Sequence, residues 1–398
     1  MSAVTGWVSG KVTVEGLNNR LAEVLPIVHD EAAPADESAS FPVASLDAIR
    51  KSGLMGLLIP TQYGGLGGGL EDMAHVAAEL AGACMSTAMI WAMHCQQVAA
   101  MVEHGTSSLK NIALPAIARG EIYVASVTSE KKKGGHLLTA DAPLTAEHGQ
   151  LFIDRDAPIV TGGAFADAFL VTMRDQIDAR PDRVSLVYVH REDLELVAGE
   201  GNWNPMGMRA TDSVPLRLRG ALDEDRLIGG RGEFHTVAVS TFIPTGHVAW
   251  SACWIGGARA ALRSVLQLLR DPKTRGQFDL SSDLLRDRLA RVRLELDAMS
   301  GLLAQVIRDS QSAGDLSEVP IQLRLNGLKI FTAERSKQVV DILIEIAGLR
   351  FGYMRDSPLP LERLYRDLRS ASLNYANDRL LSANGAMALV DRNVTLAF

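Results

Sequence analysis

The spacing of apolar residues changes twice along this chain of 398 residues, and this change most constrains the fold. Up to about residue 120, apolar residues recur every three or four positions, as helices require, in stretches such as EDMAHVAAELAGACMSTAMIWAMHCQQVAAMVEHG. From about 121 to 230 the chain has short β-rich runs separated by turns, among them EIYVASVT, QLFIDRDAPIV, DAFLVTMR, RVSLVYVH and VPLRLRG. From about 231 the helical spacing returns.

This pattern predicts an α+β fold that is mainly α. We expect an N-terminal helical domain at 1–120, a middle antiparallel β domain at 121–230 and a C-terminal four-helix bundle at 231–398. The bundle prediction rests on three apolar stripes. These stripes are Leu285, Leu289, Val292, Leu296, Met299, Leu303 and Val306; Trp250, Trp254, Leu262, Val265, Leu266 and Leu269; and Leu325, Leu328, Val339, Ile342 and Ile346.

Composition excludes several classes of protein. Lys and Arg number 40 against 47 Asp and Glu, and this net charge of −7 argues against binding to a nucleic-acid backbone. The most apolar segment, STAMIWAMHCQQVAAMV, is interrupted by His94, Gln96 and Gln97, so no membrane span is predicted. The N-terminus lacks the pattern of a leader peptide, and the expected location is the cytoplasm. The three cysteines have no zinc spacing, so we predict small buried side chains and no metal site.

Familiar catalytic signatures are missing from the sequence. It contains no HExxH motif, no GxSxG nucleophile elbow and no GxxxxGK[ST] phosphate loop. The glycine-rich segment GLLIPTQYGGLGGG at 56–69 follows a helical pattern rather than a strand, so it does not predict a Rossmann nucleotide site.

Five strings follow one another in the order and approximate spacing of a known family. They are IPTQYGGLGGG, YVASVTSE, PIVTGGAFADAFLV, MGMRATDSV and YRDLRSASLNYAND, and together they resemble the acyl-CoA dehydrogenase superfamily over nearly the whole chain. The resemblance implies the three-domain fold predicted above and a homotetramer or homodimer. It also implies FAD between the β domain, the bundle and a neighbouring subunit, although the sequence leaves FAD and FMN both open.

The resemblance places two groups of residues beside the cofactor. Val127 and Thr128 match the strand that holds the flavin pyrimidine ring. The family's Trp-Ile-Thr at the isoalloxazine becomes Pro158, Ile159 and Val160, with Thr161 as a substitute for the lost hydroxyl. The residues expected near the remainder of FAD, some of it in a neighbouring subunit, are Thr274, Arg275, Glu345, Gly348, Asn377 and Arg379.

The resemblance also shows where the family's catalytic base is expected. Dehydrogenation of an acyl thioester needs a carboxylate to remove the α-proton, because that proton is too weakly acidic to leave unaided. The family's usual Glu position is Tyr375 here, and a second base position used by some members is Gly246. His247 stands where the family presents an Arg to the substrate.

Three residues are candidates for catalysis: His94, His247 and Tyr375. His94 lies in the helix expected to line the substrate cavity, where related reduced-flavin monooxygenases often place a histidine, and a neutral imidazole suits proton transfer near pH 7. The alternative is a buried histidine with a structural hydrogen bond. Tyr375 would line the cavity or donate a proton, since a phenol is a poor base at neutral pH.

These observations favour a flavin-dependent oxidoreductase that does not carry out ordinary acyl-CoA oxidation. The leading hypothesis is a monooxygenase of a small molecule that receives reduced flavin from a partner reductase. One alternative is an FAD-dependent α,β-dehydrogenase of acyl-CoA or acyl-carrier-protein thioesters that passes electrons to a protein partner. The other is a non-catalytic subunit of a hetero-oligomeric dehydrogenase.

Overall fold

The computed structural model describes residues 12–131, 136–147, 149–199, 201–392, 394 and 396. Its elements run from helices through β-strands to helices again, so the predicted fold class, α+β and mainly α, is confirmed. The three cysteines are unpaired and buried, as predicted. Among the described residues, no helix has both the length and the apolar character needed to cross a membrane.

Five helices form the N-terminal region. They are α1 (Val14–Ser38), α2 (Val43–Lys51), α3 (Leu70–Ala83), α4 (Met85–His104) and α5 (Ser107–Ala118). The α4 helix is buried on nearly all sides, which explains why its Ala- and Met-rich sequence has no polar face. The glycine-rich segment before α3 is a tight structural turn, because a Cβ on Gly65 would lie 2.1 Å from the Ile59 carbonyl oxygen.

Eight strands in two four-stranded sheets follow in the described part of the chain. They are β1 (Val124–Val127), β2 (Thr145–Glu147), β3 (Gln150–Val160), β4 (Ala168–Arg174), β5 (Val184–His190), β6 (Leu194–Ala198), β7 (Val214–Leu222) and β8 (Leu227–Ile228). The sheet orders are β1-β4-β5-β8 and β2-β3-β7-β6. One described pairing corrects the prediction of an antiparallel domain: β1 and β4 are parallel. The chain leaves β1, builds two strands of the other sheet and returns to β4, and such a long crossover permits parallel pairing.

The C-terminal region is again helical. Its helices are α6 (Phe234–Val237), α7 (Ile243–Arg270), α8 (Asp283–Ser312), α9 (Val319–Gly348), α10 (Leu361–Arg369) and α11 (Asn377–Ala388). Three long helices, α7, α8 and α9, pack against one another, while the short α10 and α11 pack on α9. The predicted apolar stripe of α8 faces this core, with Val292, Met299 and Val306 buried. On the other side, α3 and α4 pack against α7.

All three regions meet at the motif that contains Arg366 and Asp367. The Arg366 guanidinium pairs with Asp36 of α1 at 2.6 Å and donates to the Met206 carbonyl oxygen at 2.9 Å. Asp367 accepts the backbone N–H of Met208 at 2.5 Å. The strings MGMRATDSV and YRDLRSASLNYAND are therefore in direct contact, and this contact fixes the β-region against the bundle.

Candidate functional site

Three aromatic side chains cluster where the β-region meets the bundle. The ring of Tyr375 stacks on Trp250, with centroids 4.9 Å apart, and the His247 ring lies 6.5 Å from Tyr375 and 6.1 Å from Trp250. The phenol also reaches the Thr128 side chain at the end of β1 as a hydrogen-bond partner. The structure thus brings together two of the predicted catalytic residues and one predicted flavin residue. We call Thr128, His247, Trp250 and Tyr375 the aromatic cluster.

The backbone at Tyr375 is unusual. Its φ is 41°, in the left-handed region that residues other than glycine seldom adopt. Such a conformation costs of order 1 kcal/mol and persists only where surrounding contacts enforce it. The position of this tyrosine is therefore set by the structure around it.

His247 is a neutral, buried imidazole with one free nitrogen. The residue is 2% exposed, Nδ1 has no hydrogen-bond partner, and the ring also hydrogen-bonds the Leu325 backbone. Burial lowers its pKa to about 3, and the nearby Lys329 charge adds to the effect. At neutral pH the Nδ1 lone pair is consequently available as an acceptor for a donor group.

Tyr375 has the opposite property, because its phenol retains its proton. Burial raises its pKa well above the ordinary value, and the hydrogen bond with Thr128 opposes this only in part. The group can donate a hydrogen bond or a proton at neutral pH, but it cannot serve as a base there.

Gly246 lies beside the aromatic cluster, and the structure around it leaves no room for a side chain. A Cβ at this position would lie 2.2 Å from Gln96 Nε2 and 3.5 Å from Trp250 Cζ2. Gln96 is held in this place because its Nε2 donates to the Phe242 carbonyl oxygen at 2.7 Å. A π-helical turn, Ala238–Phe242, ends at that carbonyl, and such turns recur at functional sites.

We expect Gly246→Ala to lower the free energy of unfolding by about 1 to 3 kcal/mol, since the added methyl group must displace the hydrogen-bonded Gln96 amide. Gly301→Ala in α8 is the matched control, because a Cβ there meets nothing within 4 Å. Urea denaturation of both variants measures the difference. Equal stability of the two variants would contradict the close packing of Gly246 against Gln96.

The structure does not support the predicted catalytic role of His94 and favours the structural alternative. The side chain is fully buried, the Val124 N–H donates to Nδ1 at 3.1 Å, and Nε2 donates to the Met55 carbonyl oxygen at 3.1 Å. Burial lowers the pKa of His94 to about 4. Both ring nitrogens are therefore used in joining α4 to β1 and to the segment after α2.

The predicted residues at the ends of β1 and β3 lie side by side. Ser129, next to Thr128, donates its hydroxyl to the Ile159 carbonyl oxygen at 2.8 Å. The Ile159 side chain is 51% exposed, whereas Val160 is fully buried and Val127 lies in the core of the sheet. The Thr161 hydroxyl lies 3.0 Å from the Ser213 hydroxyl. Of this group, Thr128 and Thr161 are partly buried and Ile159 is exposed, so these three can contact a bound group.

A second group of predicted residues lies at the other end of the bundle. The Thr274 hydroxyl donates to the Leu268 carbonyl oxygen at 2.6 Å, and Arg275 follows in the exposed turn between α7 and α8. Glu345 pairs with Arg288 at 2.6 Å. Gly348 has a φ of 70° at the end of α9. The ring contact between Phe278 and Phe351, at 6.3 Å, brings these two segments together.

Asn377 and Arg379 occupy different environments, although only two positions separate them. Asn377 accepts a hydrogen bond from Lys329 at 2.7 Å and donates to Glu334 at 3.2 Å, so its amide is engaged within the protein. Arg379 has a buried Nη1 without a hydrogen-bond partner. A donor of that kind is expected to meet an acceptor outside this chain.

Lys329 is a functional candidate that the sequence analysis missed. Its side chain is fully buried in α9 and its ammonium group contacts the segment that carries Tyr375. The signal was its position within the apolar stripe that includes Leu325 and Leu328, where a lysine is unexpected.

Comparison with known proteins identifies the family. The profile of the acyl-CoA dehydrogenase N-terminal domain matches residues 22–121, and that of the C-terminal domain matches residues 236–374, together more than half of the chain. The chain belongs to the acyl-CoA dehydrogenase superfamily. The resemblance inferred from the five strings is thereby confirmed.

Proteins similar to this chain have names that indicate different activities. An amino sugar nitrososynthase of Streptomyces peucetius is 27% identical over 88% of this chain and 86% of its own length. A short-chain-specific acyl-CoA dehydrogenase of Clostridium acetobutylicum is 24% identical over 87% of this chain and 88% of its own. The structure of FMN-bound TdsC from Paenibacillus sp. A11-2 has 21% identity and a TM-score of 0.83, covering 95% of this chain and 98% of that one. The fold of this superfamily member is thus shared by relatives with distinct reactions.

Proposed function

We propose that this superfamily member is a flavin-dependent monooxygenase that acts on a small molecule with reduced flavin supplied by a partner reductase. One observation carries the proposal. Of the two positions where the family resemblance implies a catalytic carboxylate, Gly246 is closed by Gln96 and Tyr375 holds a phenol that stays protonated. The described side chains around that phenol are Thr128, Trp250 and His247, and none of these is a carboxylate.

The residues present fit a flavin at the end of β1. Thr128 and Thr161 supply hydroxyl groups, and the exposed face of Ile159 supplies apolar contact for a ring system. Arg379, which the family resemblance assigns to FAD, has a buried Nη1 that is free to donate. Thr274, Arg275, Glu345 and Gly348 would hold the outer part of FAD from a neighbouring subunit, whereas FMN would not need them. When bound in reduced form, the flavin supplies the two electrons that convert O₂ and substrate to oxygenated product and water.

The chain's own residues provide one proton donor and one acceptor beside that site. The Tyr375 phenol keeps its proton, and the stack on Trp250 holds the ring that carries this O–H donor in place. His247 offers its Nδ1 lone pair to an N–H or O–H of the substrate. The Trp250 ring gives the site an apolar wall beside the phenol.

Some relatives support the proposed monooxygenase, and others support the alternative dehydrogenase. The nitrososynthase of Streptomyces peucetius and dibenzothiophene monooxygenase TdsC favour oxygenation of a small molecule. The short-chain acyl-CoA dehydrogenase favours dehydrogenation, and its reaction requires the base that the aromatic cluster does not provide.

The test is substrate-dependent incorporation of ¹⁸O from ¹⁸O₂. The purified chain is combined with NADH, a flavin reductase and either FMN or FAD, and challenged with amino sugars, indole and dibenzothiophene. We expect ¹⁸O-labelled product from at least one of them. Turnover of butyryl-CoA with an artificial electron acceptor, without oxygen incorporation, would contradict the proposal in favour of a dehydrogenase. Failure to bind either flavin would favour a non-catalytic subunit.

A further inference from the structure

The ammonium group of Lys329 makes three hydrogen bonds to one short stretch of chain. Nζ donates to the carbonyl oxygens of Ala371 at 3.0 Å and Tyr375 at 3.2 Å, and to Asn377 Oδ1 at 2.7 Å. All three acceptors lie in the segment 371–377, which follows α10 and ends at the first residue of α11. An ammonium group has three N–H donors, so this segment uses all of them.

The same segment carries the strained residue of the aromatic cluster. Tyr375 has its left-handed φ of 41° at the point where its carbonyl oxygen accepts from Lys329. On its other side the ammonium lies 5.6 Å from the centre of the Trp254 ring, a favourable position for a cation. Lys329 is fully buried, and its described hydrogen bonds go to carbonyl and amide oxygens rather than to a carboxylate.

We infer that Lys329 is a positioning residue whose ammonium group holds the segment 371–377 in the conformation that places Tyr375 against Trp250. Any consequence for turnover rests on the proposed function, because it assumes that Tyr375 acts on the substrate. The link between the lysine and the segment does not rest on it and is measured without flavin or substrate.

The burial of Lys329 makes this link sensitive to pH near neutrality. The titratable groups that face it are His247 from α7, Tyr375 from the held segment and Glu334 from α9 itself. Burial lowers the pKa of Lys329 to about 7, which Glu334 opposes. His247 is neutral at this pH and the Tyr375 phenol is protonated, so the proton on Lys329 is the one that changes. When the segment opens, water reaches the amine and its pKa returns toward the ordinary value of 10.5, so above pH 7 the closed segment binds fewer protons than the opened one and is favoured as pH rises.

Hydrogen–deuterium exchange of the full chain, followed by mass spectrometry, tests the inference. Four reporter amides in the segment make backbone hydrogen bonds: those of Ala371, Leu373, Asn374 and Asn377. We expect Lys329→Met, which keeps the length of the side chain, to lower their protection by about tenfold while peptides of α8 stay unchanged. The control is Lys337→Met on the same helix, whose ammonium lies 5.9 Å from the Tyr365 ring. It should leave the segment as in the wild type.

The pH dependence of exchange protection in the segment 371–377 gives a second test. This dependence would be missing if Lys329 only filled space in the core. Protection factors of the wild-type segment, corrected for intrinsic exchange, should rise as pH rises from 6 to 8.5, and this rise should be missing from Lys329→Met. Unchanged protection of 371–377 in Lys329→Met, or an equal pH-dependent rise in both chains, would overturn the inference. If the variant does not fold, pH-independent protection in the wild type overturns it and a rise supports it. Failure of the ¹⁸O assay leaves each of these outcomes unaffected.

Discussion

Acidification from pH 6.5 to pH 4 is expected to remove about 3 kcal/mol of unfolding free energy through His94 alone. Its pKa in the folded protein is about 4, lowered by burial from an ordinary value of 6.5. Between these two pH values the unfolded chain binds a proton at this residue and the folded chain does not. The contribution is therefore fully present above pH 6.5 and is lost as pH falls toward 4.

The effect of His94 must be measured as a difference, because other groups titrate in the same range. His247, with a pKa of about 3, acts in the same direction, whereas burial raises the pKa of Asp367 to about 7 and acts in the opposite direction. His94→Gln is the informative variant, since an amide can still accept from Val124 N–H and donate to the Met55 carbonyl. Urea denaturation at pH 6.5 and pH 4 should show a smaller loss of stability in this variant, by about 3 kcal/mol.

His29→Gln provides the matched control, since the His29 side chain is 76% exposed and the same substitution there leaves the hydrogen bonds of His94 intact. The same His94 variant addresses function. If His94 is structural, His94→Gln keeps its turnover in the ¹⁸O assay. Loss of turnover in a stably folded His94→Gln would reinstate the catalytic role that the hydrogen bonds argue against.

His94 illustrates why the site was harder to predict than the fold. The change from helical to strand-like spacing is local, so it predicted the order of helices, sheets and helices directly. The parallel pairing of β1 with β4 was missed, because sheet order depends on a crossover that no local pattern encodes. The role of His94 likewise depends on Met55 and Val124, which lie 39 and 30 residues away in sequence.

Motif alignment located one residue of the aromatic cluster, Tyr375, but not the lysine that contacts its segment. The register of the string YRDLRSASLNYAND placed Tyr375 at the family's base position, and the structure sets it against Trp250 and His247. Lys329 escaped notice because a lysine within a helix is ordinarily read as part of its solvated face. Its position within an apolar stripe was the one signal in the sequence, and the packing of α9 against the 371–377 segment shows that its ammonium group is inside the protein.

Tyr375→Phe is expected to reduce turnover in the ¹⁸O assay by about 10²-fold or more, because removal of a positioned proton donor has effects of this size. The substitution deletes only the phenol oxygen, so the stack on Trp250 and the left-handed backbone remain. Flavin affinity should stay close to the wild-type value, and the lost hydrogen bond with Thr128 should lower the unfolding free energy by only about 1 kcal/mol. Tyr365→Phe in α10 is the control, since that ring contacts Lys337 outside the aromatic cluster.

The fall should appear mainly in kcat, because the phenol acts on the reacting atoms more than on substrate affinity. Since burial keeps Tyr375 protonated well beyond neutral pH, the wild-type rate should show no loss from ionisation of this phenol between pH 6 and 9. Full turnover of Tyr375→Phe would show that the phenol only lines the cavity, and proton delivery would then have to come from solvent or from the flavin site itself.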